Sequence, residues 1–227
     1  GFKNDSFASA TIPQQIIVTV FMLLFSINFN SYYLILKTKF KDAINSEVKV
    51  FILIVVAATT IITLNTMGAT DNIFTAIRNA AFTVASLIST TGFTTASFNA
   101  WPALSQTVLV LVMFIGACAG STGGGFKVSR VLILVRTAKR NLRKLLHPKS
   151  VNVVKSDDKT LNTETVHGVS CYLIIYLLIF FVSLLIISLN NMDFTSSFTS
   201  VTTCFNNIGP GLGDVGPSVN YTNLTWI

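Results

Sequence analysis

The chain has 227 residues, of which 51% are hydrophobic, 18 are Phe and only 11% are charged, well under the roughly 25% of a soluble globular domain. That balance excludes an ordinary water-soluble enzyme and indicates an integral, polytopic membrane protein. The net charge of +7 would suit a nucleic-acid binder, but fourteen of the sixteen Lys and Arg residues fall in two stretches, 37–49 and 127–159. Placing both stretches in the cytoplasm satisfies the positive-inside rule and leaves no basic surface with interleaved aromatics for nucleic acid.

In chain order, residues 1–10 are polar and show no recognisable cleavable signal peptide. The missing initiator Met and the start within a motif make a fragment of a longer protein the expectation. Residues 14–36, 50–67 and 169–189 form apolar runs at or near the roughly 20 residues a helix needs to cross a bilayer. Residues 104–115 form a fourth run that glycines interrupt at half that length. A short segment, 74–87, leads into the turn Ser89-Thr90-Thr91-Gly92-Phe93, and another, 194–204, leads into Asn206-Asn207-Ile208-Gly209-Pro210-Gly211. Cys118, Cys171 and Cys204 are odd in number and lie among apolar residues, which suits packing better than a disulfide or metal site. His147 and His167 have no Cys, Ser or carboxylate at useful spacing, so no acid–base or nucleophile constellation supports an enzyme.

From Asn79 through Phe126 there is no Asp, Glu, Lys or Arg. A turn in such surroundings offers a solute only backbone carbonyls and hydroxyls, the equipment of a cation selectivity filter. The turn recurs. After Gly92 come Phe93, Ser97-Phe98 and Pro102 before an apolar helix; after Gly1 come Phe2, Ser6-Phe7 and Pro13 before another. Gly209 marks a more divergent third copy. Helix, short pore-type helix, filter turn and helix form the repeating unit. The C-terminal end of each short helix would turn its negative pole towards a cation, and irregular backbone is tolerated at membrane depth only where protein or water surrounds it.

Residues 116–125 contain Gly116, Gly120, Ser121, Thr122, Gly123, Gly124 and Gly125. Glycine costs a helix about 1 kcal/mol relative to Ala, so a regular helix from 104 to 146 is expected to break here. The spacing of Gly116 and Gly120 fits a small-residue helix contact. A phosphate-binding loop requires Gly-Lys-Ser/Thr after a strand; here Phe126 separates Gly125 from Lys127 and an apolar helix precedes. The remaining reading is a flexible intramembrane loop that blocks or opens a pore. The basic segment that follows carries Arg130, Arg136, Lys139, Arg140, Arg143 and Lys144, which suits either anionic lipid or a docked cytosolic partner.

Three stretches, 89–93, 116–130 and 206–221, together with their spacing, resemble the Trk/Ktr/HKT superfamily of potassium transporters, and within it the TrkH-type membrane subunit. The resemblance covers nearly the whole chain. It implies an all-α integral membrane fold of repeated helix–pore helix–filter–helix units of potassium-channel type around a pseudo-fourfold pore. On that template residues 1–46 end repeat two, 47–149 form repeat three, 150–164 are a cytoplasmic linker, and 165–227 are repeat four without its last helix. The resemblance implies filter carbonyls from Thr90, Thr91 and Gly92 on one wall and from Asn207, Ile208 and Gly209 on another, with Gly1 marking a third. Pro210, where repeat three has an aromatic, departs from fourfold symmetry and suggests looser discrimination between K⁺ and Na⁺.

The resemblance also implies K⁺ as the transported ion, no covalently bound cofactor, and the glycine-rich loop as the gate. Its implied partners are the lipid bilayer, a second copy in a homodimer, and a cytosolic TrkA-type regulatory ring through which a nucleotide (ATP/ADP or NAD) would act. The implied location is the plasma or inner membrane, with the basic loops cytoplasmic. The competing reading is an ion-coupled secondary transporter of another solute. Such coupling usually needs an ionisable residue within the membrane, and the apolar runs carry none.

Overall fold

A computed structural model describes residues 6–70, 72–147, 155–157 and 159–217. Apart from one hairpin of two-residue strands, β1 (Lys155–Ser156) and β2 (Lys159–Thr160), the regular structure among these residues is helical. Among the described residues two helices are long and apolar enough to cross a membrane: α4 (Ser46–Thr66), with 21 residues, and α8 (Thr163–Ser188), with 26. At 1.5 Å per residue, each matches or exceeds a hydrocarbon core about 30 Å thick.

The apolar run 14–36 is not one straight helix. It divides into α1 (Ile12–Phe25) and α2 (Phe29–Leu36), which meet at 90°. Hydrophobicity alone does not register this bend. Ser26 donates its hydroxyl to the Met22 carbonyl, and Asn28 caps the new helix by accepting from the Asn30 amide. Local polar groups thereby replace the intrahelical bonds lost at the break. α1 starts in a capping box of Thr11 and Gln14, with Pro13 in its first turn.

α5 (Ile73–Ile88) is the most enclosed helix. Phe82, Thr83, Val84, Ala85, Ser86, Leu87 and Ile88 are all buried in succession. They pack among α4, α1 and α6 (Ala103–Ile115). The core joins Phe51 and Ile62 of α4, Val84, Leu87 and Ile88 of α5, and Leu109 and Met113 of α6. Between lipid-bathed helices such contacts hold by dispersion and shape rather than by water exclusion. α8 presents Ile174, Leu178 and Leu185 outward, the face expected against lipid. It packs on α9 (Phe194–Phe205) through rings such as Phe180 and Phe198, whose centroids are 5.4 Å apart.

The expected break between residues 104 and 146 is present: α6 stops at Ile115 and α7 (Val128–Leu146) resumes after it. The remaining short helix, α3 (Phe40–Ala43), precedes α4. Asp157 in the hairpin accepts from the Ser46 amide at 2.7 Å and the Ser46 hydroxyl at 2.6 Å, which joins the hairpin to the start of α4.

Candidate ion pathway and glycine-rich loop

The turns after α5 and α9 have the same hydrogen-bond ladder. The Ser89 and Asn206 amides reach back four residues, to Ala85 and Thr202. The Thr90 and Asn207 amides reach back three, to Leu87 and Cys204, and those of Thr91 and Ile208 reach back five, to Ser86 and Thr203. Positive φ recurs at matching positions: Thr90 (57°) with Asn207 (62°), and Gly92 (76°) with Gly209 (112°). In a trans peptide the carbonyl points opposite to the amide of the next residue. Since the Thr91 and Ile208 amides are aimed at their helices, the Thr90 and Asn207 carbonyls point away from them. Both helix C-termini, with their negative dipole ends, face these turns.

The two turns touch each other. A Cβ at Gly92 would collide with the Ile208 carbonyl oxygen, so glycine is required there by both φ and space. Side chains fix each turn from behind. Ser86 donates to the Phe93 carbonyl at 2.6 Å, and the Ser89 and Thr91 hydroxyls lie 2.7 Å apart. On the other turn, the Tyr176 hydroxyl of α8 donates to the Asn206 side chain at 2.8 Å, and Asn206 donates to the Thr202 carbonyl at 2.9 Å. The Tyr176 ring also stacks edge-on to Phe205, with centroids 4.7 Å apart. Tyr176 gave no signal in the sequence, because either of the two Tyr residues in this 26-residue apolar helix looks like lipid-facing surface.

The segments that follow the turns are linked in sequence order. Ser6 accepts from the Thr94 amide, and the Phe7 amide donates to the Thr94 carbonyl, both at 2.9 Å. Asn99 exchanges two bonds with the backbone of Gly213, both 3.1 Å. Gly1 itself, and residues 218–221 of the third motif, lie outside the described residues.

The glycine-rich loop lies directly against both turns. The Gly124 amide donates to the Thr90 hydroxyl at 2.6 Å, and a Cβ on Gly124 would sit 2.6 Å from the Asn206 carbonyl oxygen. Gly123 lies against Ser89, Gly116 against Gly124 and Gly125, and Gly120 against Asn28. Thr122 bonds the Phe25 carbonyl through both its amide and its hydroxyl, Cys118 donates its amide to Ser26, and Ser121 donates its hydroxyl to the Cys118 carbonyl. The loop is therefore seated in the bend between α1 and α2.

Two charged residues hold this loop, and both lie outside the apolar runs read from the sequence. Glu47, in the first turn of α4 and 8% exposed, accepts from the Ala119 amide at 2.6 Å and the Ser129 amide at 3.2 Å through one oxygen. Lys127 donates its ammonium to the Gly123 carbonyl. Sequence windows that start at residue 50 pass over Glu47, since its importance arises from residues about 72 and 82 positions away. Among the described residues no group of three or more His, Cys, Asp or Glu side chains could hold a metal ion.

The family described as TrkH, a cation transport protein, matches residues 4–225. The chain belongs to the TrkH family. A curated relative, the Trk system potassium uptake protein TrkH of Salmonella typhimurium, is 36% identical over 97% of this chain and 47% of its own length. The TrkH protein of Escherichia coli K12 is 41% identical over 65% of this chain and 30% of its own length. The crystal structure of the potassium transporter TrkH from Vibrio parahaemolyticus superposes with a TM-score of 0.87 at 32% identity, covering 95% of this chain and 48% of that one. This TrkH-family chain thus spans about half the length of such relatives, and its helical architecture is that of a membrane transport protein.

Proposed function

We propose that this chain forms part of a K⁺ uptake protein in the plasma or inner membrane, in which Thr90, Thr91 and Gly92 line one wall of a carbonyl filter and Asn207, Ile208 and Gly209 line another. The matched ladders and matched positive φ of the two contacting turns carry this reading. Carbonyls that replace the hydration shell suit a cation without side-chain charge. Gly1 belongs to the wall before them by its sequence pattern, and the pseudo-fourfold repeat plan rests on the same correspondence.

The loop containing Gly116, Gly120, Ser121, Thr122, Gly123, Gly124 and Gly125 acts as the gate. The bond from the Gly124 amide to the Thr90 hydroxyl supports this reading, since it joins the loop to the turn assigned to the filter. A cytosolic TrkA-type ring that binds nucleotide controls the gate through the basic α7, and two copies form a dimer. A coupled transporter of another solute is less well supported. Glu47 and Lys127, charged groups beside the loop, are both engaged by its backbone.

The test is K⁺ uptake by the full-length protein in a cell lacking its own K⁺ transport, comparing wild type with Gly92→Ser. Positive φ alone strains a side chain there by roughly 1–2 kcal/mol, before the clash with Ile208, so uptake is expected to fall by at least about tenfold. Undiminished uptake by the membrane-inserted variant removes the filter assignment.

A further inference from the structure

We propose that Glu47 is a positioning residue that clamps the two arms of the glycine-rich loop together and so sets its blocking conformation. This rests on the gate reading above.

The geometry is that of a cap supplied from a distant helix. α7 begins at Val128, but its own N-cap residue, Lys127, has φ +82° and makes no side-chain cap bond. The first amides of a helix have no intrahelical partner, and Ser129 is one of them. Glu47 Oε1 accepts it at 3.2 Å, placing negative charge where the α7 dipole favours it. The same oxygen accepts the Ala119 amide at 2.6 Å, on the other arm of the loop. One carboxylate atom thereby joins backbone positions 119 and 129, and everything between them, including Gly120 and Gly123–Gly125, is closed into a ring.

The clamp is fixed on its own side as well. Asn45 caps α4 by accepting the Val48 amide at 2.9 Å, and Asp157 holds the amide and hydroxyl of Ser46. Glu47 lies between these anchors, which hold the backbone of the first turn of α4 on either side of it. Lys127 reaches the Gly123 carbonyl from within the ring. The glycine segment has few side chains with which to hold itself shut; α4 supplies the missing one. Charge-assisted bonds to backbone amides are roughly twice as strong as neutral ones, which is why a carboxylate is the acceptor at this point.

Cys118, fully buried beside Ala119, reports on the clamp directly. The experiment uses full-length protein in membrane vesicles, in a background whose only cysteine is Cys118, and measures its rate of modification by a membrane-impermeant thiol reagent. Flux of Rb⁺ without regulatory stimulation is measured on the same vesicles. With two backbone bonds to a charged acceptor removed, Glu47→Ala is expected to speed Cys118 modification by about tenfold or more. Unstimulated flux is expected to rise with it, while the Rb⁺ concentration for half-maximal stimulated flux stays at the wild-type value.

Glu47→Gln keeps one neutral acceptor oxygen and is expected to lie between wild type and Glu47→Ala, at about two- to fivefold. A Glu47→Ala rate within about twofold of wild type, or a Glu47→Gln rate equal to either extreme, overturns the clamp; the Gln variant decides alone if the Ala variant does not reach the membrane. A shifted half-maximal concentration would instead indicate general damage to the filter, and also overturns it. If the wild-type protein carries no K⁺, the transport reading fails, yet the Cys118 rates still decide the clamp.

Discussion

Thr90 shows how much one hydroxyl can do in a chain with few charges. It adopts φ +57° within the turn and accepts the Gly124 amide at 2.6 Å. Thr90→Val keeps the shape and removes the acceptor. An unpaired buried amide costs about 1–3 kcal/mol, which favours any state in which the loop moves away. Rb⁺ flux without regulatory stimulation is therefore expected to increase; flux equal to wild type would mean that the bond does not hold the loop. Gly92 stood out in the sequence as the close of a hydroxyl-rich turn, though its φ of 76° did not. The collision partner, Ile208, was not legible, because it lies 116 residues away in a different copy of the turn.

At the scale of elements, α9 depends on its cap. Asp193 accepts the Thr195 and Ser196 amides, at 3.2 and 3.4 Å. Its hydrogen bond with Ser196 leads the causes that hold its carboxyl below the usual carboxylate range. Asp193→Ala should cost about 1 kcal/mol, measurable as a lower melting temperature of purified full-length protein. The sign with pH follows from the depressed pKa. The cap contributes fully above the unfolded carboxylate value of about 4 and is lost as pH falls through the lower folded value. The gap between wild type and Asp193→Ala is thus expected at neutral pH and should close on strong acidification. Asp157 behaves similarly: partial burial raises its pKa, but the two Ser46 bonds, with Arg136 and Lys49 nearby, outweigh this and hold it low. The two short helices that lead into the turns, α5 and α9, were legible in sequence to within a residue or so, as was the break before α7. The 90° bend between α1 and α2 was not. Averaged hydropathy reads through Ser26, Asn28, Asn30 and Ser31, and the bend follows from Ser26, Asn28 and the loop seated against them.

For the whole molecule, charge distribution and fold agree. The hairpin bond from Asp157 to Ser46 joins one residue of each basic stretch's neighbourhood, and the proposed common cytoplasmic side requires such a junction. The opposite end carries Ala100, which is exposed after the first turn. In the full-length protein in sealed cells, a single cysteine at Ala100 should react with an impermeant label from outside, and one at Asp157 only after the membrane is opened. Labelling of both from one side would refute the shared-side arrangement.

The sequence by itself determined the membrane class, the helix count to a close approximation, the repeated turns and the family, because these depend on local hydrophobicity, glycine placement and motifs. Only the tertiary structure decided that two turns meet at Gly92 and Ile208, that Tyr176 braces one of them, and that Glu47 bridges the loop. Each of these joins residues far apart in the chain through a single short contact. Such contacts leave no periodicity or spacing to read: they exist only once the helices have packed.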